Sequence, residues 1–250
     1  MLVALKIIFL LGFLVLIHES GHYLVAKICN IKVNEFAIGF GPVIWKKQGK
    51  ETNYEIRLIP LGGFVNLEGE EEHSDMERSF NKASILKRIA IIAAGAIVNI
   101  IFGIIVYFIL IFVRYSVVVG GSFTEILKYS AGATIQLIQL TADGLIQLFT
   151  GKLSMDDMMG PVGISNVVAK TSGIVEFVYL LSIVSISLGV TNLLPFVPLD
   201  GGKIVLLIIE AIRRKPLKKE FEMKIQTIGF FILIIFSILV TFNDVIRIVK

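Results

Sequence analysis

Long apolar stretches separated by polar segments dominate the pattern along this chain. Four of them carry few or no charges: Val3–Ile17, Ile89–Val113, Ile174–Leu194 and Ile225–Phe242. Each can be extended to the roughly 20 residues that a helix needs to cross a bilayer. The first is longer than the apolar core of a signal peptide, and no small-residue cleavage site follows it. The pattern therefore predicts four membrane-spanning helices, the first of them retained.

The segment 31–70 has a different pattern. Short runs of β-branched and aromatic residues alternate there with glycine and proline, and Tyr54–Leu58 alternates apolar with charged positions. This punctuation is typical of β-hairpins, so the sequence predicts two hairpins that form a small antiparallel sheet beside the membrane. An uncovered edge of such a sheet can pair with a further strand. A plain cytosolic cap is the alternative.

Residues 122–172 connect the second and third spans. Within them, 124–149 mixes apolar residues with Glu125, Lys128 and Asp143, as expected for an amphipathic helix at the outer membrane interface. A fifth span is the alternative for this stretch. The predicted fold class is an α-helical membrane protein with about four transmembrane helices, a small membrane-associated antiparallel β-sheet and an interfacial amphipathic helix, all in a single domain.

Composition supports the membrane assignment and excludes a nucleic-acid partner. Of 250 residues, 55% are hydrophobic and 18% charged, against about 25% charged in soluble domains. The net charge is +4, and the Lys and Arg residues are concentrated in residues 27–88 and 203–224. Such loops lie on the cytoplasmic side, so both termini are expected outside. The single cysteine, Cys29, excludes an internal disulfide.

Ionisable residues interrupt the first span in the sequence LVLIHESGHYLVAK, residues 14–27. Residues four apart share a helix face, so His18 and His22 can present two imidazoles to one point with Glu19 beside them. This is the H-E-x-x-H arrangement, two zinc ligands and a carboxylate that can take a proton from water. Because polar groups are expensive at membrane depth, the span predicts a metal site.

A third ligand is expected from TNLLPFVPLDGGKI, residues 191–204. Pro195 and Pro198 break the third span, and irregular backbone at membrane depth survives where it lines a cavity. Asp200 is then predicted on a bent, non-helical segment that turns towards the histidines; a simple helix cap is the alternative. Asn192, on the same segment, is predicted to contact substrate or stabilise an oxyanion; hydrogen bonding to the carbonyl groups freed by Pro195 is the alternative.

The second span contains AAGAIVNI, residues 93–100. Gly95 and Asn99 are four residues apart, which allows close helix contact and an interhelical hydrogen bond. Both are predicted to be structural support.

Together these motifs resemble the site-2 protease family, and specifically the bacterial intramembrane zinc metalloproteases of the RseP type. The resemblance rests on the H-E-x-x-H of the first span and on four further stretches: GFGP at 39–42, PLGGFVNLEGE at 60–70, GPVGI at 160–164 and NLLPFVPLDGG at 192–202. They run through most of the chain.

The resemblance implies a role for each matching residue. His18, His22 and Asp200 match the family's ligands for one Zn²⁺ ion, and Glu19 matches its general base. Asn192 matches the asparagine of the N-x-x-P-x-x-x-x-D-G motif, which is thought to contact the substrate.

The resemblance also implies a substrate-binding sheet. Residues 31–70 match the family's membrane-re-entrant β-region, whose edge is thought to receive an unwound substrate as an added strand. Gly62, Gly63 and Asn66 are the substrate-binding residues expected there.

One departure from the family pattern stands out. RseP-type members carry one or two PDZ domains between the second and third spans, whereas residues 115–121 leave no room for a domain of about 80–100 residues. The chain therefore resembles a form without that insertion.

The implied activity is zinc-dependent hydrolysis within or near the transmembrane helix of a single-span membrane protein, such as an anti-sigma factor or a remnant signal peptide. The implied location is the bacterial cytoplasmic membrane, with the active site towards the cytoplasm. Two alternatives are a non-proteolytic metal transporter and a pseudoprotease that binds substrates without cutting. Glu19 beside the two histidines argues against both.

Overall fold

A computed structural model of the chain describes residues 2–152, 154 and 158–249. These residues form seven α-helices, two long strands and a short 3₁₀ turn at Phe80–Lys82. In chain order the elements are α1 (Leu2–Ile28), β1 (Val33–Gln48), β2 (Asn53–Leu67), α2 (Ile85–Val118), α3 (Phe123–Phe149), α4 (Pro161–Lys170), α5 (Ile174–Asn192), α6 (Asp200–Arg213) and α7 (Lys219–Val249).

Four helices are long and apolar enough to cross a membrane: α1, α2, α5 and α7. They match the four predicted spans, except that α5 ends at Asn192, two residues before the predicted end of the third, and the multi-pass helical fold is thereby confirmed. Most of their side chains are not buried inside the protein, as expected for surfaces that face lipid. The 27-residue helix α3 is not among them. Its place at the outer interface stays a prediction.

The β-region differs in detail from the two predicted hairpins. β1 and β2 are continuous strands of 16 and 15 residues that form one antiparallel sheet. Gly39, Gly41 and Gly62 have positive φ angles, which glycine adopts at little cost, so these positions bend the strands instead of ending them. As a result Ala37, in the first half of β1, lies opposite both Phe64 and Glu55 of the bent β2.

Two helices of the described chain were not anticipated. The basic stretch 203–224 was expected as a loop, yet α6 continues through it to Arg213 and α7 begins at Lys219. Helix α4 begins at Pro161, in the first turn, where the missing N–H of proline costs nothing. Both helices are too short to attract notice by hydropathy alone.

The chain divides into two compact units. The first comprises residues 1–100 and 188–230 and contains the whole sheet. Its core includes Ala26 of α1, Val33 and Leu67 of the strands, Ile91 of α2 and Leu207 of α6, all buried. This packing fixes α1, the sheet, α2 and α6 against one another.

The second unit comprises residues 101–187 and 231–250. Gly103 of α2 packs against the α5 backbone at Ser182. The fully buried Asp244 of α7 accepts hydrogen bonds from the backbone N–H groups of Gly160 (3.0 Å) and Gly163 (2.7 Å) at the start of α4. A side chain from a distant helix thus caps α4.

Candidate metal centre and active site

Helix α1 brings the two histidines of the H-E-x-x-H motif together. The Nε2 atoms of His18 and His22 lie 3.1 Å apart. The Nδ1 atom of His22 lies 2.8 Å from the carbonyl oxygen of Ile91 on α2. Because a carbonyl can only accept, Nδ1 carries the proton and the Nε2 lone pair is left for a metal ion.

Asp200 completes the cluster from the other end of the chain. Its Oδ2 atom lies 3.1 Å from Nε2 of His18 and 3.4 Å from Nε2 of His22. All three side chains are 12–16% exposed. In the described part of the chain, this is the only group of three or more His, Cys, Asp or Glu residues placed to hold a metal ion.

The sequence predicts Asp200 on a non-helical segment, and this prediction is wrong. Asp200 is the first residue of α6, and the irregular backbone is confined to residues 193–199 just before it. Gly201 and Gly202 pack so closely on the backbone of that segment, at Leu193 and Phe196, that a Cβ atom on either would overlap it. The glycines therefore let the helix begin directly beside the break, with Asp200 in its first turn.

The cluster has the dimensions of a zinc site. Two ligand atoms about 2.05 Å from one tetrahedral zinc ion lie about 3.3 Å apart, and the three distances here are 3.1, 3.1 and 3.4 Å. Oδ2 of Asp200 is buried and accepts no hydrogen bond from the described residues, which is costly for a carboxylate without a cation. Three protein ligands would leave a fourth position open, as in catalytic zinc sites.

Glycines make room for this centre where α2 crosses α1. A Cβ atom on Gly21 would lie 2.6 Å from the carbonyl oxygen of Ala94. One on Gly95 would lie 2.8 Å from Cε1 of His22 and 2.9 Å from Cε1 of His18, and closer still to Nε2 of His22. Gly95 therefore packs on the imidazoles themselves. Asn99, one turn further along α2, is fully buried.

A cavity of about 160 Å³ opens beside the cluster. It holds room for several water molecules. Its apolar walls come from β2 and α2, and its polar lining includes Glu19 together with two residues that sequence reasoning missed, Glu70 and Lys203. Lys203 follows Asp200 by one helical turn, so recognising α6 from its amphipathic pattern would have pointed to it.

Glu70 and Lys203 form an ion pair in the cavity wall. Nζ of Lys203 donates to Oε1 of Glu70 at 3.0 Å, and Nζ of Lys219 donates to the backbone carbonyl of Glu70 at 2.7 Å. Burial acts to lower the pKa of Lys203, but the carboxylates of Glu70, Asp200 and Glu19 together raise the pKa above its usual range, so the lysine stays protonated. The end of the sheet is thereby tied to α6 and to α7.

The remaining predicted site residues fall in three places. Gly63 faces the centre: a Cβ atom there would lie 3.3 Å from Cγ of Glu19. Gly62 packs under the ring of Phe40, and Asn66 accepts a hydrogen bond from Asn34 within the sheet. Asn192 is the last residue of α5 and is not among the described residues that line the cavity.

Residues 6–236 match Peptidase family M50. The chain belongs to this family, the site-2 proteases. Among its relatives, zinc metalloprotease RasP of Bacillus licheniformis is 26% identical over 96% of this chain and 98% of its own length. Regulator of sigma-W protease RasP of Bacillus subtilis is 25% identical over 96% of this chain and 97% of its own length.

Membership of M50 makes this chain a zinc metalloprotease of the site-2 type, with zinc as its cofactor and the membrane as its location. The two RasP alignments extend over 414 and 411 positions, whereas this chain has 250 residues. The relatives therefore contain long stretches with no counterpart here, which fits an M50 peptidase that lacks the PDZ insertion.

Proposed function

We propose that His18, His22 and Asp200 hold the catalytic zinc ion and that Glu19 moves the proton during peptide hydrolysis. The observation that carries this proposal is the convergence of three ligand atoms within 3.1–3.4 Å of one another beside a cavity that Glu19 lines. When bound, zinc lowers the pKa of water and polarises the scissile carbonyl. Glu19 accepts a proton from the attacking water and delivers it to the departing amide nitrogen.

The edge of the sheet is the proposed place for the substrate backbone. Among the described residues, 63–67 pair with no strand other than β1, and Phe64, Val65 and Leu67 of this stretch line the cavity. A transmembrane helix buries its carbonyl groups in its own hydrogen bonds, so it must unwind before hydrolysis. Strand addition to this edge would replace the lost hydrogen bonds and bring the extended segment alongside Glu19.

Within this arrangement, Gly62, Gly63 and Asn66 are proposed to contact the substrate. Gly63 gives the backbone its close approach to Glu19, since any side chain there would fill the space between them. Asn192 is proposed to meet the substrate outside the cavity, at the end of α5. Gly95 and Asn99 support the centre from α2.

We propose single-span membrane proteins as the substrates. The open edge accepts one extended segment, and a lone helix has no neighbours that oppose its unwinding. The Bacillus subtilis relative is named a regulator of sigma-W protease, which favours an anti-sigma factor over a remnant signal peptide. The concentration of Lys and Arg in 27–88 and 203–224 favours termini outside the cell and an active site towards the cytoplasm.

The Lys203–Glu70 pair is expected to position the sheet edge. Lys203→Gln and Glu70→Gln should each raise the KM for a reporter by about 2–5-fold, with little change in kcat, because each frees the end of β2 from α6. The double variant should be no worse than the single variants, since both remove one interaction. Glu51→Gln, which removes an exposed ion pair with Arg78, is the matched control. Additive effects in the double variant would contradict this role.

The proposed function is tested by cleavage of a single-span reporter in proteoliposomes that contain the purified chain. We expect cleavage inside or beside the reporter's transmembrane segment, loss of cleavage on removal of zinc by a chelator, and recovery when zinc is added back. Mass spectrometry of the products locates the cut. A zinc-loaded chain that leaves every single-span reporter intact would contradict the proposal, and zinc uptake into the vesicles would favour transport.

A further inference from the structure

The turn between α6 and α7 concentrates positive charge. Five of the seven residues from 213 to 219 are basic, and none is acidic: Arg213, Arg214, Lys215, Lys218 and Lys219. All five are exposed. Arg214 adopts a left-handed conformation with φ of 54°, and Pro216 follows, so α6 ends here and its last cations extend into a tight turn.

Most of this charge is not neutralised by the protein. Of the five cations, Lys219 donates to the carbonyl of Glu70, whereas Arg213, Arg214, Lys215 and Lys218 make no ion pair with any described residue. Glu220 and Glu222 follow in the first turn of α7 and offset only part of the positive field. The positive charge at this turn therefore favours the binding of an anion.

Large apolar side chains flank the same cations. Ile212 is 78% exposed at the end of α6, and Phe221 is 50% exposed at the start of α7. The opposite face of α6 is buried through Leu206 and Leu207. An exposed strip that joins cations to isoleucine and phenylalanine fits the boundary between lipid headgroups and acyl chains, and not a purely aqueous anion.

We infer that the α6–α7 turn is a binding surface for anionic lipid headgroups. Helix α7 is a candidate span, so the turn at its beginning lies where the chain leaves the hydrocarbon region. Clusters of four or more Lys and Arg beside a span attract acidic lipids in this way. The four unpaired cations bind lipid phosphates, while Ile212 and Phe221 rest among the upper acyl carbons.

Helix α6 connects this surface to the cluster of His18, His22 and Asp200 within the first compact unit. Helix α6 begins at Asp200 and ends at the turn, and Lys203 and Lys219, on either side of the turn, both bond Glu70 in the cavity wall. A lipid that fixes the turn would hold the helix that carries Asp200. This consequence rests on the proposed function; the lipid surface itself does not.

The test compares the full chain in nanodiscs of phosphatidylcholine that contain a small fraction of fluorescent phosphatidylglycerol. The parent should enrich phosphatidylglycerol around it and gain thermal stability as its fraction rises. Neutralising the four unpaired cations together should weaken that preference by about tenfold or more: Arg213→Gln, Arg214→Gln, Lys215→Gln and Lys218→Gln. A control with the same net charge should keep it, since it neutralises four exposed lysines elsewhere: Lys47→Gln, Lys50→Gln, Lys128→Gln and Lys170→Gln.

A second variant guards against a folding artefact. Arg213→Lys with Arg214→Lys retains the charge and should retain the lipid preference. The inference is overturned if the neutralised turn still prefers phosphatidylglycerol, or if the control loses the preference equally. It is also overturned if inorganic phosphate or a short oligonucleotide displaces the fluorescent lipid from the parent, because the surface would then recognise a soluble anion.

Discussion

Replacing Glu19 by glutamine will abolish peptide-bond cleavage and leave the zinc content unchanged. Glutamine keeps the size of the side chain and can still hydrogen-bond, but it cannot accept a proton from water at neutral pH. Loss of a general base at such a site costs about 10²–10⁴-fold in rate, which would place the variant near the background of the reporter assay. Because Glu19 is not among the three converging ligands, metal binding should survive.

Zinc per chain, measured by mass spectrometry of the metal, separates this outcome from a collapsed site. Glu71→Gln is the control, since Glu71 is an exposed carboxylate next to Glu70. It should cleave at the parent's rate. If Glu19→Gln cleaves as fast as the parent, the proton transfer assigned to Glu19 is wrong; if it loses zinc, Glu19 is part of the metal site.

Replacing Gly95 by alanine will weaken zinc binding although Gly95 is not among the three converging residues. A Cβ atom there overlaps the imidazole of His22 and lies 2.9 Å from that of His18, so at least one ring must turn away. Displacement of a metal ligand through its supporting contacts costs about 10–100-fold in affinity. Titration with a competing chelator should show that loss, and cleavage should fall in parallel.

Gly132 of α3 provides the matched control. It is also a helical glycine, yet a Cβ atom there would have no neighbour within 4 Å. Alanine favours a helix over glycine by about 1 kcal/mol, so Gly132→Ala should keep zinc and activity with equal or greater thermal stability. Zinc affinity that is unchanged in Gly95→Ala would mean that α2 can move away from the histidines.

The spans and the two histidines of the cluster could be predicted because their signals are local. A run of apolar residues is sufficient to predict a span, and His18 and His22 share a face through helix geometry alone. Asp200 could be proposed as a third ligand because its carboxylate suits a metal ion. Its position at the start of α6 could not be predicted, because the effect of Gly201 and Gly202 depends on the backbone against which they pack. Prolines that interrupt an apolar pattern show where a helix ends, but they do not show where the next helix begins.

The sheet and the cavity wall depend on contacts between distant residues. Glycines at 39, 41 and 62 were interpreted as ends of strands, and only the pairing of both long strands shows that they are bends. Glu70 and Lys203 are 133 positions apart, so neither one indicates the other. Gly95 was predicted to allow close helix contact. Its packing against the two imidazoles could not be predicted, because they belong to a different helix, α1.

The cap on α4 has a consequence for the order in which the protein is completed. The first N–H groups of a helix have no partner within it, and those of Gly160 and Gly163 are satisfied by Asp244, more than 80 residues later. During synthesis the ribosome has to reach residue 244 before this end of α4 is stable. A residue made more than 80 positions later therefore completes a helix that was made much earlier.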